Sequence, residues 1–453
     1  MRIVLPLLAL VAALPAAAQT EPGTAPPHAA AKPAATPGPV VASPALTAKA
    51  AALPGLINGS VAFEDFFTPA VRAQLTKAQF DAVTRQILAD AGPAATVRAL
   101  TAVTANSGTV TLAFRDAVGT FDIAVDPAPP HAATGLLFRG LNASEASLDA
   151  VAHAFRALPG TTSLGLARLG ANGPEWTIRQ NVDQPMAIGS AFKLVILAEL
   201  VRATKAGERK WDDAVTLDGT PLPGGAYAQK AAGTQVTLRE LAGQMIAVSD
   251  NSATDILLRT LGREEVEAMM PVLGIADPAR NRPFLSTLEA FKLKGVEGGA
   301  LGRRYLAADT AGRRALLAGA VAATPIAAID PMLFRDGKPV MIDRIEWYLS
   351  ASDLAHTLDW LRRATEGADG ADARTILSRN PGIVRPVATQ WAYVGYKGGS
   401  EPGVMNMSLL LKAANGDWYV LVGSWNDAAR DVQQGRMAAL ISRAAELAVP
   451  APR

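Results

Sequence analysis

The chain has 453 residues, long enough for two domains, and contains no cysteine. Disulfides, thiolate metal sites, cysteine nucleophiles and a lipid anchor on cysteine are therefore excluded. The formal net charge is +2 with both signs well mixed, so there is no electrostatic reason to expect nucleic acid as a partner. The 4 histidines show none of the spacings of a zinc site, and neither a metal nor another cofactor is expected.

The N-terminus has the pattern of a secretory signal. Arg2 supplies a positive charge, residues 3–14 form a short apolar run, and Ala16-Ala17-Ala18 is a small-residue cleavage site. The run is too short to span a bilayer. The sequence thus predicts a signal peptide over residues 1–18 and a periplasmic or secreted mature protein. An uncleaved N-terminal anchor is the alternative.

The next two segments differ in composition. Residues 19–55 are dominated by alanine and proline, which predicts a partly extended linker. Residues 56–140 are expected to form a small α+β accessory domain. Their apolar residues first follow helical spacing and then alternate as strands do, over residues 71–88, 96–103, 109–114 and 120–125. This domain shows no recognisable chemistry.

Residues 145–450 have the pattern of a larger domain that mixes helices and strands. A helix at residues 144–158 precedes two strands, and the C-terminal part has the pattern strand, hairpin, strand and long helix, over residues 403–447. Such a beginning and end allow the two ends of the domain to build one antiparallel sheet with helices on both faces. The predicted fold class is therefore mixed α/β (α+β).

A buried helix is predicted to begin at Ser190. Residues 194–197 are all apolar, and a helix that is apolar on every side passes through the middle of a domain. Ser190 and Lys193 lie three residues apart, so they share one helical face. Burial lowers the pKa of a lysine, and a neutral lysine can act as the base for a serine nucleophile. The N–H groups at the start of the helix suit a developing oxyanion.

The S-x-x-K pattern is weak by itself, because an N-cap serine followed by an ordinary lysine also fits it. Two later stretches strengthen it. Ser249-Asp250-Asn251 follows an apolar run, and Lys397-Gly398-Gly399-Ser400 follows the strand-like residues 391–395. In this order, the three stretches resemble S-x-x-K, S-D-N and K-T-G of class A β-lactamases and penicillin-binding proteins. The structural alternatives are a helix cap for Asn251 and an exposed strand-end lysine for Lys397.

The resemblance covers about residues 145–450 and implies a β-lactamase/transpeptidase-like fold. No G-x-S-x-G elbow surrounds Ser190, which argues against an α/β-hydrolase. Residues 329–386 are longer than the family needs there and are expected to form an extra lobe at the rim of the site. The small domain resembles the cystatin-like α+β domains of some exported serine hydrolases, including a family found in clavulanate biosynthesis.

The resemblance also implies a role for each motif residue. Ser190 is the acylated nucleophile, and Lys193 takes its proton directly or through water. Ser249 passes a proton to the leaving amine. The substrate is bound by the third residue of the second motif and by three residues of the third motif: Asn251, Lys397, Gly399 and Ser400. The backbone N–H groups of Ser190 and Ser400 form the oxyanion hole.

Two features depart from the family pattern. Gly398 stands where a threonine or serine hydroxyl is expected, and Ser400 is the nearest replacement. Class A enzymes also carry an E-x-x-L-N loop whose glutamate activates the water that frees the acyl-enzyme, and this string is absent. Glu289 is the nearest candidate for that base. The alternative is a surface helix glutamate paired with Lys292 or Lys294.

Three functions fit these residues. The first is a β-lactamase-like hydrolase that opens β-lactams or related amides and esters through an acyl-enzyme on Ser190. The second is a DD-peptidase, penicillin-binding protein or esterase that uses the same groups, with a peptidoglycan-like substrate for the peptidase. The third is a catalytically decayed binding module in which the N-terminal domain does the work. We expect a small-molecule substrate, no nucleic acid or metal partner, and a monomer.

Overall fold

The computed structural model describes residues 40–450, which divide into two units between Ser144 and Glu145. The predicted signal peptide and residues 19–39 of the predicted linker lie outside the described residues. Between residues 40 and 450, no helix is long and apolar enough to cross a membrane.

The small unit consists of four helices followed by a four-stranded sheet. Its helices are α1 (Pro44–Asn58), α2 (Phe63–Phe66), α3 (Pro69–Gln74) and α4 (Lys77–Ala91). Its strands are β1 (Ala94–Thr104), β2 (Ser107–Phe114), β3 (Val118–Val125) and β4 (Ala133–Asn142). Each strand pairs antiparallel with the next one along the chain, so the sheet is a meander.

Helix α1 lies in the range predicted to be a linker, and that prediction is wrong for residues 44–55. Ser43 caps the helix through the Leu46 N–H, Pro44 occupies the first helical position, and Gly59 ends the helix with φ of 82°. Alanine-rich sequence forms helices readily once an apolar face has something to pack against. The helix contributes five side chains to the core of the small unit: Leu46, Ala50, Leu53, Leu56 and Ile57.

The large unit is built on a five-stranded antiparallel sheet. The strands of the large unit are β5 (Thr161–Gly170), β6 (Gly173–Gln180), β7 (Met186–Ala187), β8 (Ala214–Thr216), β9 (Gln235–Thr237), β10 (Tyr348–Leu349), β11 (Tyr393–Glu401), β12 (Val404–Lys412) and β13 (Trp418–Asn426). The main sheet has the order β11-β12-β13-β5-β6, while β7 pairs with β10 and β8 pairs with β9. The junction of β13 with β5 joins the two ends of the domain, which confirms the predicted sheet.

Helices cover both faces of this sheet, as predicted. The helices of the large unit are α5 (Leu148–Arg156), α6 (Lys193–Lys205), α7 (Leu238–Ala247), α8 (Asn251–Leu261), α9 (Arg263–Val272), α10 (Thr287–Gly295), α11 (Ala300–Ala307), α12 (Thr310–Leu316), α13 (Ala351–Ala364), α14 (Ala371–Ser378), α15 (Arg385–Ala388) and α16 (Gln434–Leu447). Phe155 of α5 and Ile441 of α16 pack against Gly423 on one face of β13. Val420 and Val422 alternate to the opposite face, whose core includes residues of α6 and α13.

Helix α6 is the buried central helix, but it begins later than predicted. Gly189–Phe192 form a 3-10 turn, and the α-helix starts at Lys193. A 3-10 turn has three residues, so Ser190 and Lys193 still lie on the same side of the segment. The apolar residues that follow are buried, as the sequence predicts.

Residues 282–347 form an excursion that leaves and rejoins the domain at one place. The Asn281 side-chain amide donates to Tyr348 O at 2.8 Å, and the Tyr348 N–H donates to Asn281 Oδ1 at 2.8 Å. This segment, called the insertion lobe below, contains α10, α11, α12 and a π-helical turn at Leu317–Val321.

Residues 329–386, which are expected to form an extra lobe at the rim of the site, do not form one segment. Residues 329–347 belong to the insertion lobe, whereas residues 351–378 contain α13 and α14, which pack against the main sheet. Pro339 of the lobe lies against Gly403, in the turn between β11 and β12.

Candidate active site

Ser190 lies in the 3-10 turn between β7 and α6, and its residue surface is partly exposed. The Ala187 N–H of β7 donates to Asn426 Oδ1 at 2.8 Å, and Asn426 Nδ2 donates to Ala187 O at 2.9 Å. Gly189 has φ of 49°, a conformation that glycine adopts without strain. The candidate nucleophile is thus presented on a backbone that the adjoining strand holds in place.

The 3-10 turn and β11 approach each other so closely that a side chain would not fit between them. A methyl group on Gly189 would lie 2.9 Å from Ser400 N, and a methyl group on Gly399 would overlap Ser190 N and Ile188 O. The close approach brings the N–H groups of Ser190 and Ser400 into the same part of the site. Two backbone donors in this position suit the negative charge of a tetrahedral intermediate.

Lys193 is completely buried, and its ammonium group contacts the second motif. Its Nζ donates to Ser249 O at 2.7 Å, to Ser249 Oγ at 3.1 Å and to Asn251 Oδ1 at 2.8 Å. An ammonium group has three protons, and these three acceptors account for them. Ser190, which the sequence suggests as a direct partner, is not among these acceptors.

Ser249 lies at the turn between α7 and α8 with φ of 60°, a value that few serines adopt. Its Oγ accepts a second hydrogen bond from Lys397 Nζ at 3.0 Å, so the hydroxyl lies between two lysines. Asp250 holds the turn in place, because its carboxylate accepts from the Ala226 N–H at 2.6 Å and from the Ala253 N–H at 2.8 Å. Unusual backbone geometry that is held by its surroundings is typical of functional sites.

Burial changes the protonation of both lysines. It lowers the pKa of Lys193 to about 7, against the opposing effect of the negative charges on Asp255 and Asp250. Burial also lowers the pKa of Lys397 well below its usual range, and the charge of Lys193 lowers it further. The site therefore contains an amine that can accept a proton at neutral pH.

The third motif lies on β11, with Lys397 buried and Ser400 exposed. A methyl group on Gly398 would overlap the Tyr396 hydroxyl and would lie 2.9 Å from Asn406 O. The hydroxyl-bearing residue of the family pattern therefore does not fit at position 398 without displacing Tyr396. Ser400 lies two residues further along the strand, on the same face, and is open to solvent.

Comparison with known protein families agrees with this arrangement. The model of the Beta-lactamase enzyme family matches residues 144–449. The chain belongs to this β-lactamase family. Solved structures similar to it include a β-lactamase from Sphaerobacter thermophilus DSM 20745 (21% identity, 66% of this chain, 94% of that chain, TM-score 0.45). Another is PBP-A (16% identity, 66% of this chain, 92% of that chain, TM-score 0.45). A third is a β-lactamase from Chitinophaga pinensis DSM 2588 (16% identity, 66% of this chain, 96% of that chain, TM-score 0.45). No curated protein sequence matches the chain.

In this member of the β-lactamase family, Glu289 has structural partners. Its Oε1 accepts from Arg263 Nη2 at 2.7 Å, and its Oε2 accepts from Arg263 Nη1 at 3.0 Å. The carboxylate also accepts from the Ser286 N–H at 2.8 Å, which completes the capping box of α10. None of these contacts involves Ser190 or Lys193, and a role as the hydrolytic base stays a prediction.

The alternative prediction, that Glu289 pairs with Lys292 or Lys294, is wrong, because Glu289 pairs with Arg263. Lys292 Nζ donates to Val321 O at 2.9 Å, in the π-helical turn. Lys294 is buried and contacts Glu346 and Glu401. The spacing on one helix predicts neighbours on its surface, but these lysines face other segments of the fold.

Asp255 is a buried group near the site that the sequence analysis does not single out. Its carboxylate accepts from the Thr287 N–H at 2.7 Å and from the Leu288 N–H at 2.9 Å, so it connects α8 to the start of α10. Burial raises its pKa to about 6, and the backbone hydrogen bonds oppose this shift. An aspartate within the apolar run of residues 253–258 is the signal that predicts burial.

Within residues 40–450, no group of three histidine, aspartate or glutamate side chains is arranged to hold a metal ion.

Proposed function

We propose that the protein is an exported serine hydrolase that opens β-lactams, or related amides and esters, through an acyl-enzyme on Ser190. The observation that supports this proposal best is the convergence of two buried lysines on one hydroxyl. Lys193 Nζ lies 3.1 Å and Lys397 Nζ 3.0 Å from Ser249 Oγ. Membership of the β-lactamase family supports the reaction class. The signal pattern of residues 1–18 supports export to the periplasm.

Acylation begins when a base removes the Ser190 proton. Neutral Lys193 keeps two N–H donors for its partners in the second motif and gains a lone pair. With a pKa of about 7, a large fraction of this side chain is neutral at neutral pH. The amine accepts the proton directly or through a water while Ser190 Oγ bonds to the substrate carbonyl carbon. The N–H groups of Ser190 and Ser400 bind the oxyanion.

The leaving group departs when the C–N bond of the tetrahedral intermediate breaks. Its nitrogen takes a proton from the Ser249 hydroxyl, and Ser249 takes a replacement proton from the Lys193 ammonium, so that Lys193 is neutral again. Lys397 donates to the same Oγ at 3.0 Å and stabilises the negative charge that develops there. A substrate carboxylate beside Lys397 favours the ammonium form of this lysine, against the effect of burial, and is attracted by it.

The three remaining substrate contacts follow from the same geometry. Asn251 Oδ1 is occupied by Lys193, which leaves the Asn251 amide N–H groups to donate to the substrate side chain. The Ser400 hydroxyl is exposed and takes the place of the hydroxyl that is missing at Gly398. Gly399 carries no side chain, which lets the 3-10 turn of Ser190 approach β11; its contact with substrate is proposed from the family resemblance.

A penicillin-binding protein or DD-peptidase is the second candidate, because of the position of Glu289. Both oxygens of its carboxylate accept hydrogen bonds from Arg263, so the group is engaged in the fold. Hydrolysis of an acyl-enzyme needs a base for the attacking water. We therefore expect acylation of Ser190 to be faster than its deacylation, and an acyl-enzyme that lasts would favour this second function.

Two serine variants test the proposal with a chromogenic cephalosporin. Ser190→Ala removes the nucleophile, and we expect hydrolysis to be abolished while the folded far-UV spectrum is kept. Ser400→Ala keeps its backbone N–H, so we expect kcat to change little while KM rises. Hydrolysis by Ser190→Ala at the wild-type rate would refute the acyl-enzyme. An inactive wild-type protein that binds a β-lactam without reaction would instead identify a decayed binding module.

A further inference from the structure

Another buried lysine of the large unit, Lys294, lies between two glutamates. Lys294 Nζ lies 3.1 Å from Glu346 Oε1 and 2.5 Å from Glu401 Oε1. The Lys294 side chain is 0% exposed, that of Glu346 is 2% exposed and that of Glu401 is 10% exposed. We call these three residues the Lys294 cluster. None of them belongs to the three motifs.

The Lys294 cluster joins three segments that surround Ser190. Lys294 belongs to α10 of the insertion lobe, and Glu401 is the last residue of β11, directly after Ser400. Glu346 precedes Trp347, whose carbonyl accepts from the Ile188 N–H at 3.0 Å. The cluster therefore connects the insertion lobe to the end of the strand that supplies one of the two oxyanion donors.

An aromatic stack also connects the insertion lobe to the 3-10 turn that contains Ser190. The Trp347 ring stacks on Phe192, in the same 3-10 turn as Ser190, with ring centroids 3.7 Å apart. Its indole N–H donates to Leu285 O at 3.1 Å. Phe284, at the other end of the lobe, contacts the same Phe192 ring edge-on, with centroids 5.7 Å apart, so both ends of the insertion lobe pack against the turn that carries Ser190.

The Lys294 cluster has two carboxylates for one ammonium group. In a buried place a second negative charge is unfavourable, which favours a proton on one carboxylate. Burial raises the pKa of Glu401 to about 8; Lys294 opposes this shift and Glu346 adds to it. Tyr348 lies near both carboxylates, as well as near Arg280 and Asp343, and burial raises the pKa of its hydroxyl above the usual range. Burial and Glu346 thus favour the protonated form of Glu401, and in that form the cluster holds one positive and one negative charge.

We propose that the Lys294 cluster positions the end of β11, and with it the Ser400 N–H, for acylation of Ser190; this inference rests on the proposed function. Glu401 is the positioning residue, since it is adjacent to Ser400 and closes the contact with Lys294. When Glu401 loses its proton, two carboxylates face one ammonium and repel each other. The strand end then shifts, and the oxyanion donor leaves its working position. A displacement of about 1 Å at such a donor lowers a rate by about 100-fold.

The test compares two substitutions of Glu401 with a matched control. Glu401→Gln has the shape of the protonated glutamic acid, whereas Glu401→Ala removes the contact with Lys294. Glu145→Gln is the control, because Glu145 also forms a largely buried ion pair of the large unit, with Arg436 at 2.8 Å. The rate of covalent labelling is measured by intact-mass spectrometry from about pH 6 to pH 10, with nitrocefin and with a fluorophosphonate, and melting temperatures are recorded in parallel.

We expect the wild-type labelling rate to fall above about pH 8, after correction for decay of the probes. At pH 7, Glu401→Gln should label at the wild-type rate within about threefold. Above about pH 8 its labelling rate should fall less than that of the wild type, because glutamine has no proton to lose. Glu401→Ala should label about 10- to 100-fold more slowly at pH 7. Glu145→Gln should follow the wild type at every pH. Titration of Lys193, whose pKa is about 7, also shapes the wild-type profile, so the difference between wild type and Glu401→Gln is the decisive quantity.

The two ways of failing are distinguishable. Wild-type and Glu401→Gln profiles that coincide at every pH would refute the positioning role and leave the proposed function intact. Absence of a Ser190 adduct on the wild-type protein with both probes would overturn both proposals. If Glu401→Ala does not fold, the comparison of wild type with Glu401→Gln still decides the question.

Discussion

Substitution of Gly399 by alanine should slow acylation of Ser190 by about 100-fold. The added methyl group would lie 2.6 Å from the Gly189 carbonyl carbon and would overlap Ser190 N. Ordinary contacts between carbon atoms begin at about 3.5 Å, so the 3-10 turn and β11 have to separate by about 1 Å. A misplacement of about 1 Å at the reacting groups lowers the rate by about 100-fold, which is about 2.7 kcal/mol of transition-state stabilisation. Extra volume in a packed region also lowers the free energy of unfolding, by about 1–3 kcal/mol.

The assay is the pre-steady-state rate of adduct formation with a saturating cephalosporin, followed by quenched intact-mass spectrometry. Gly319→Ala is the matched control, because a methyl group added at Gly319 would meet no neighbouring atom within 4 Å and its φ is not positive. We expect Gly319→Ala to acylate at the wild-type rate. Equal acylation rates for Gly399→Ala and the wild type would refute the claim that this close approach sets the oxyanion donors.

Three further substitutions test individual groups of the site. Lys193→Ala should slow acylation by about 100- to 10,000-fold, because it removes the base. In the wild type the acylation rate should rise with pH up to about pH 7, because the neutral amine is the active form and the pKa of Lys193 is about 7. Lys193→Ala should not show this rise. A rise of the same size in this variant would assign the base elsewhere. Ser249→Ala should slow acylation by about 100-fold, because the hydroxyl shared by the two lysines is lost; an unchanged rate would contradict the proton path. Glu289→Gln should lower the free energy of unfolding by about 1–3 kcal/mol, measured by urea denaturation, and leave acylation unchanged, because its carboxylate pairs with Arg263. Unchanged stability combined with lost deacylation would make Glu289 the hydrolytic base.

The three motifs are predictable because each is short and each has a local physical meaning. Ser190 and Lys193 share a side of one turn, Ser249 lies in the turn between two helices, and Lys397 lies on a strand that is mostly buried. The sheet is predictable from the order of strands at the two ends of the domain. These inferences need only residue spacing and connectivity.

The features that sequence analysis misses depend on contacts between distant residues. The alanine-rich composition of α1 predicts a linker, and only packing against the small unit distinguishes this helix from an extended segment. The bounds of the insertion lobe follow from the Asn281–Tyr348 pair, which no local pattern reveals. The partners of Lys294 lie 52 and 107 residues away along the chain. Its spacing from Glu289 on the same helix therefore suggests the wrong partner.

The central claim is that Ser190 forms a covalent acyl-enzyme, and one measurement tests it most directly. The mature protein and Ser190→Ala are each mixed with a penicillin and with a chromogenic cephalosporin. Intact mass, the modified peptide and product absorbance are then followed over time. The account predicts an adduct on the peptide that contains Ser190, formed faster than it decays and absent from Ser190→Ala. Product formation by Ser190→Ala, or a wild-type protein that stays unmodified with both compounds, would contradict it.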